Sequence, residues 1–471
     1  MALNPTWTLG EGPLQDVSEF GMNIIPQLKA ELGDGCIVID SVHSLEPCLR
    51  QVQEILNQSR PVALFFYPDI LSKCQAVFVP KKTPEPSFTL SDVEAFLNEF
   101  PLEAKHRRVI LYVCSEAARV ENIQELTTKF ATAFNAQTVW SVNGSNAVAP
   151  DNPFGLGHIM LGGNDKAMEL WRSMGPADLI VTLGFDQGEY SLNLEKIHAG
   201  MVWHFTDIPH AYGNKHGEMR HRVTGEYRMV KGNIGLSLSH ILKNLKPTAE
   251  SSPFTSTPIT LNTRILSRET SENCVDLIAF YERLSELWRP GSIGFDDVCI
   301  AYKDRQYIMQ RPHPHIRFYT MHDASTMGGA FGLAVGAKIA CPKKHIFSFT
   351  RDGCWRLFSG ALAEASNLGI CLFLLKNDSY ALVSQALDVA IPGLLSERKH
   401  DILQSIDFLG AAQAYGWKGI ALQPDLGNLE DILNICYTQE KQSILIEVPV
   451  DKDQNIGPNP RFENLSQEKY L

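Results

Sequence analysis

Apolar residues fall along this chain in short, nearly unbroken runs separated by amphipathic stretches. "RRVILYVCS" (107–115), "ADLIVTLGFD" (177–186), "KHIFSFT" (344–350), "ICLFLL" (370–375) and "SILIEVP" (443–449) lack the two-residue alternation of a half-wet strand, so they predict strands covered on both faces. Helical patterns lie between them, one running to about residue 134. The rhythm predicts an α/β chain of doubly wound parallel sheets. Two segments rich in Pro, Ser, Thr and charge, "VPKKTPEPSFT" (79–89) and "LKPTAESSPFTSTPIT" (245–260), predict boundaries near 82 and 250. The segment 1–82 shows a helix, "SLEPCLRQVQEILNQS" (44–59), feeding a strand, "PVALFFYP" (61–68), which is one αβ unit and little more.

Between the strands at 344–350 and 370–375, Trp355, Phe358, Leu362, Ala365 and Leu368 recur at three- and four-residue steps. This predicts one amphipathic helix in a right-handed βαβ crossover. Both strand ends then share the carboxyl edge where ligands of open α/β sheets bind, and Asp352 and Asn377 converge there. With the main-chain carbonyl of Ser379 they make an all-oxygen set suited to Mg²⁺, and the free N–H groups at 353–356 suit phosphate. The same residues also read as a helix cap and a polar turn.

The formal net charge of −11 argues against binding a nucleic-acid backbone, and no apolar run is long enough to span a membrane. The ten cysteines are scattered without CxxC pairs, which suits a reducing cytoplasm, and the N-terminus shows no targeting pattern.

The stretch from Asp352 to Asn377 resembles the thiamine diphosphate enzymes, in which Gly-Asp-Gly opens a motif that an Asn closes. The resemblance extends upstream through "TMGGAFGLAVGAKIACPKKHIFSFT" (326–350) and downstream through "SIDFLGAAQAYGW" (405–417) and "IEVPVDKDQNIGPNPR" (446–461). It implies thiamine diphosphate and Mg²⁺ as cofactors. Asp352, Asn377 and Ser379 would ligate the metal, and Gly353, Cys354, Ser379 and Tyr380 would line the cofactor. Met327 would be the apolar prop beneath it, and the carbonyl near Ser325 would accept a hydrogen bond from its aminopyrimidine. Residues 83–250, with "QTVWSVNGSNAVAPDNPFGLGHIMLGG" (137–163), resemble the family's Rossmann-like central domain, and 251–471 its pyrophosphate-binding domain. "TWTLGEGPLQDVSEF" (6–20) and "QSRPVALFFYPDIL" (58–71) resemble the second half of the pyrimidine-binding domain in the 2-oxo-acid decarboxylase branch, so 1–82 is expected to be a partial domain.

The departures gather where the chemistry is. About one hundred family residues before "TLGEG" have no counterpart. The activating Glu goes with them, and Glu11 does not replace it. Thr6 and Trp7 stand where decarboxylases carry two His, Val383 stands where they carry Glu, and Arg351 and Cys354 replace a Gly and a Ser of the metal motif. His322 and Asp323 are the local candidates for proton transfer, with a satisfied strand-end pair as the competing reading. The histidines of 207–222 match no single helical face and read as a solvated loop, as does "PHPH" (312–315).

The resemblance then implies one subunit of a split enzyme, a lyase or transferase. It would decarboxylate a small 2-oxo acid or ligate the resulting carbanion to an acceptor, in a hetero-oligomer built on dimers whose second polypeptide supplies the Glu. A non-catalytic binding or regulatory subunit is the main alternative, and a self-sufficient enzyme using His322 is a third.

Overall fold

In a computed structural model of the chain, the described residues are 23–58, 60–67, 70, 85–185, 188, 190–192, 195–210, 214, 217–245, 270–298, 300–322, 326–390, 401–439 and 441–459. Thr6, Trp7, Glu11, Asp323 and Ser325 lie outside them. The chain divides into two compact units, Met1–Ser87 with Ile208–Lys215, and Phe88–Asp207 with His216–Leu471.

In the first unit, strands β1 (Cys36–Ile39) and β2 (Ala63–Phe66) pair in parallel, joined by helix Val42–Asn57. Ser41 caps that helix by accepting from the Ser44 N–H at 3.2 Å. A Cβ on Gly35 would lie 2.7 Å from the Pro61 carbonyl oxygen, so glycine lets the chain enter β1. The sequence reading found the helix and β2 but not β1, because four residues carry too little periodicity.

The second unit holds two sheets whose strands pair only in parallel among the described residues. One has the order β5-β4-β3-β6-β7-β8, from β3 (Arg108–Val113), β4 (Gln137–Trp140), β5 (Gly155–His158), β6 (Asp178–Leu183), β7 (Met201–Thr206) and β8 (Glu226–Lys231). The other has the order β10-β9-β11-β12-β14-β13, from β9 (Ser292–Asp296), β10 (Ile316–Thr320), β11 (Ile346–Arg351), β12 (Ile370–Lys376), β13 (Lys418–Ala421) and β14 (Ile444–Pro449). Successive residues of a strand point to opposite faces. Val109, Leu111 and Val113 therefore enter one core and Ile110, Tyr112 and Cys114 another. Likewise Cys371, Phe373 and Leu375 oppose Ile370, Leu372 and Leu374. This is why the strands read as unbroken apolar runs, and it makes both sheets doubly wound.

The two sheets of this unit are joined by side-chain amides bonding to main chain. Asn143 exchanges hydrogen bonds with both the N–H and the carbonyl of Thr320 (3.0 Å each), Asn146 donates to Phe318 O (2.7 Å), and Asn164 donates to Tyr307 O (3.0 Å). Arg311, just before "PHPH", donates to the carbonyls of Pro150, Asn152 and Gly155. Helix Ile300–Met309 lies in this junction with Lys303, Asp304 and Arg305 buried, which is why "IAYKDRQYIM" shows no amphipathic pattern.

One element differs from expectation. Residues 352–368 form helix Asp352–Phe358 followed by two short 3₁₀ turns, Ser359–Ala361 and Ala363–Ala365, rather than one helix. Trp417 Nε1 donates to Leu362 O (2.7 Å), Ser443 Oγ to Ala365 O (2.7 Å) and Ser443 N to Ser366 O (2.8 Å). Those carbonyls are taken by tertiary partners instead of i+4 N–H groups, while Trp355, Leu362 and Ala365 still face the core.

Burial holds His204 neutral, its pKa pushed down to about 3, with Nδ1 2.8 Å from the Tyr227 hydroxyl. The folded state excludes a proton that the unfolded chain takes up below pH 6.5, so stability falls as pH falls through this window. Down to about pH 4 this one site costs about 3 kcal/mol. His204→Gln should flatten the acid limb of a plot of urea midpoint against pH. An unchanged slope would refute the assignment.

Candidate active site

The site is built where β11 and β12 end side by side, with Arg351 opposite Leu375 in the ladder. Asp352, fully buried, begins the helix after β11. Its Oδ1 accepts the Gly353 N–H (3.0 Å), and its Oδ2 accepts the main-chain N–H groups of Asn377 (3.1 Å) and Asp378. Asp378 adopts a positive φ of 51°, which turns the chain after β12 back toward that carboxylate. Burial raises the Asp352 pKa, while these N–H groups and the Arg351 charge pull it back.

Neighbouring groups orient the Asn377 amide. Its oxygen accepts from Arg351 Nη1 at 2.7 Å, and its NH₂ donates to Asp352 Oδ1 (3.1 Å) and to Ser379 O (3.0 Å). The three oxygens expected to ligate a metal are thus brought together, but each already accepts a hydrogen bond. Asp352 accepts four, which fills a carboxylate. A magnesium ion about 2.1 Å from the Asn377 oxygen would stand within about 5 Å of the guanidinium, whose charge offsets much of the attraction of the Asp352 carboxylate. The residues as arranged do not fit the ion. They do fit an anion, because Arg351 is only 4% exposed and its Nε and Nη2 have no hydrogen-bond partner among the described residues.

Arg351 lines a pocket of about 80 Å³ with Val298, Met327, Gly353, Cys354, Ser379, Tyr380 and Val383. It would take one end of a cofactor, since whole ligands need about 300 Å³ or more. The Tyr380 ring packs over Gly353, where a Cβ would meet it at 2.6 Å. Met327 is 38% exposed. His322 does not line the pocket. It is 1% exposed, with Nδ1 3.2 Å from the Asn143 amide nitrogen and its ring edge-on to Tyr190. A larger cleft of about 560 Å³ runs along edge strand β10, past Trp288, Ser292 and His315, away from this carboxyl edge. Among the described residues, no group of three His, Cys, Asp or Glu is placed to hold a metal ion.

Sequence reasoning missed Asp297. It follows β9 at the same edge and accepts from the Gly328 N–H (2.8 Å) and the Thr350 hydroxyl (2.7 Å), while the Cys354 thiol also bonds to it. Gly328 has a φ of 83°, so Asp297 pins the left-handed turn that presents Met327. The available signal was "GFDD", a strand running into acids at the carboxyl edge.

Burial pushes the Asp297 carboxyl up to about 6. The folded state holds this proton more tightly than the unfolded chain, whose pKa is 3.8, so the contribution is present below pH 3.8 and is lost as pH rises to about 6. The change amounts to about 3 kcal/mol. Asp297→Asn should remove that part of the pH dependence of the urea midpoint, and a wild-type-like curve would refute it.

Residues 302–448 match the family described as thiamine pyrophosphate enzyme, C-terminal TPP binding domain. The acetolactate synthase large subunit of Haemophilus influenzae is 24% identical over 371 residues, covering 75% of this chain and 60% of the relative. The chain therefore spans less than two thirds of that relative's length. The acetolactate synthase large subunit of Lactococcus lactis is 31% identical over 135 residues, 28% of this chain and 23% of the relative. Benzoylformate decarboxylase from Polynucleobacter necessarius shares the fold, with a TM-score of 0.67 at 16% identity over 89% of this chain and 76% of that one. Motif, sheet edge and sequence similarity together make residues 302–448 similar to the thiamine pyrophosphate-binding C-terminal domain of that enzyme family.

Proposed function

We propose that the chain serves a thiamine diphosphate-dependent reaction on a 2-oxo acid, by decarboxylation, by ligation of the remaining fragment to an acceptor, or by both. The observation that carries this reading is the gathering of Arg351, Gly353, Ser379, Tyr380 and Met327 on one pocket at a parallel sheet's carboxyl edge. Relatives named for acetolactate synthesis support the ligation arm. When bound, the cofactor supplies a nucleophilic carbon and an electron sink for cleavage beside a carbonyl. Arg351 holds the anionic end, Met327 supports the apolar middle, and Val298 lines the pocket wall.

No carboxylate lines this pocket among the described residues. We assign the activating Glu to a second polypeptide, in a hetero-oligomer built on dimers. Met321, Met327, Val383 and Ile402 support this, because they leave apolar surface exposed around the same edge. The exposed Val383, at a position where the decarboxylase branch carries Glu, favours the second reading, a non-catalytic subunit.

Co-purification from the native cell, with mass spectrometry of the assembly and carbon dioxide release from pyruvate and benzoylformate, separates the two. The assembly should turn over with added cofactor, and the single chain should not. Met327→Ala should lower turnover about tenfold or more with little change in melting temperature, since the side chain is already 38% exposed. Turnover by the single chain would overturn the partner assignment. A cofactor-loaded assembly without turnover would favour the non-catalytic reading.

A further inference from the structure

We propose that Arg351 takes the place of the divalent metal, so that this chain holds the diphosphate of its cofactor directly and without magnesium. The inference rests on the cofactor reading above and goes beyond it. Three features of the site carry it. First, the guanidinium bonds the Asn377 oxygen at 2.7 Å, and that oxygen was the metal ligand expected from the motif. Second, Asp352, the other expected side-chain ligand, already accepts four hydrogen bonds, three of them from main-chain N–H groups that define the turn. A metal could bind it only by breaking the geometry that builds the site.

Third, with Nη1 committed to Asn377, the donors left over are Nε and Nη2, both buried and without partners among the described residues, on a side chain that lines the pocket. These two nitrogens form one side of the guanidinium fork and present parallel N–H groups. That spacing matches two oxygens of a single phosphoryl group. A buried fork with both donors unmade is unfavourable without an acceptor, and no carboxylate lines the pocket of Arg351 among the described residues. Gly353, Ser379 and Tyr380 line the same wall, so an anion there meets the residues that the motif assigns to the diphosphate. Arg351 thus supplies both functions of the ion: it anchors the strand-end oxygens and it neutralises phosphate charge.

The test is calorimetric titration of the full chain in its purified assembly with thiamine diphosphate in excess EDTA and in millimolar magnesium. The wild-type dissociation constant should agree within about twofold between the two buffers. Arg351→Gly should bind about tenfold or more weakly in EDTA, through loss of charge-assisted bonds, and regain affinity on adding magnesium, because the Asn377 oxygen is then free. Circular dichroism reports whether that variant folds. If it does not, Arg351→Gln, which keeps bulk and loses charge, should lose affinity in both buffers. Wild-type binding that requires magnesium would overturn the metal-free site and leave the cofactor reading standing. A folded wild-type chain that binds in neither buffer would overturn both.

Discussion

The site depends on one carboxylate that binds main chain rather than ligand. Asp352 sits at the end of β11 and accepts the N–H groups of Asn377 and Asp378, which begin the turn after β12. Two strand ends 25 residues apart in sequence are locked together by these bonds. The positions of Asn377, Ser379 and Tyr380 follow from that lock, and the Tyr380 ring then requires glycine at 353. Such an arrangement is available only in a parallel sheet, where neighbouring strands deliver their carboxyl ends to one edge.

A sheet of this kind must be covered on both faces, so its edges are where polar chemistry can gather. In the second unit the turns after β4, after β5 and after helix Ile300–Met309 serve assembly, with Asn143, Asn146, Asn164 and Arg311 bonding main chain across the junction between the two sheets. His322 belongs with that junction: its neighbours are Asn143 and Tyr190, not the pocket. Asp297 joins the two roles, since it ties the Thr350 hydroxyl on β11 to the Gly328 turn and so sets where Met327 stands. Positioning at the pocket is therefore shared between strand ends and the turns that they hold.

The parallel strands were legible because two-faced burial writes itself as unbroken apolar residues, as in "ICLFLL". The convergence of Asp352 with Asn377 was legible for a related reason, since a βαβ unit fixes where both strands end. What escaped were features decided by distant contacts. The break after Phe358 comes from Trp417 and Ser443 capturing carbonyls, and no local pattern announces it. The helix Ile300–Met309 hid behind buried charge: Arg305 pairs with Asp296, Lys303 pairs with Asp304 at 2.9 Å, and polar residues at core positions erase the periodicity. Asp297 escaped because its partner Gly328 is 31 residues away.

Arg351 shows why a motif residue can be replaced without loss of the surrounding geometry. Its backbone is extended, with φ −123° and ψ 166°, a conformation open to any residue, so glycine there would contribute space rather than a special turn. The side chain fills that space, and its charge pulls down the Asp352 carboxyl pKa, which burial raises on balance. Arg351 keeps two buried guanidinium N–H groups without a partner among the described residues, on a side chain that lines the pocket. An arginine at this position therefore changes the preference of the cradle from a metal–diphosphate complex to the diphosphate itself.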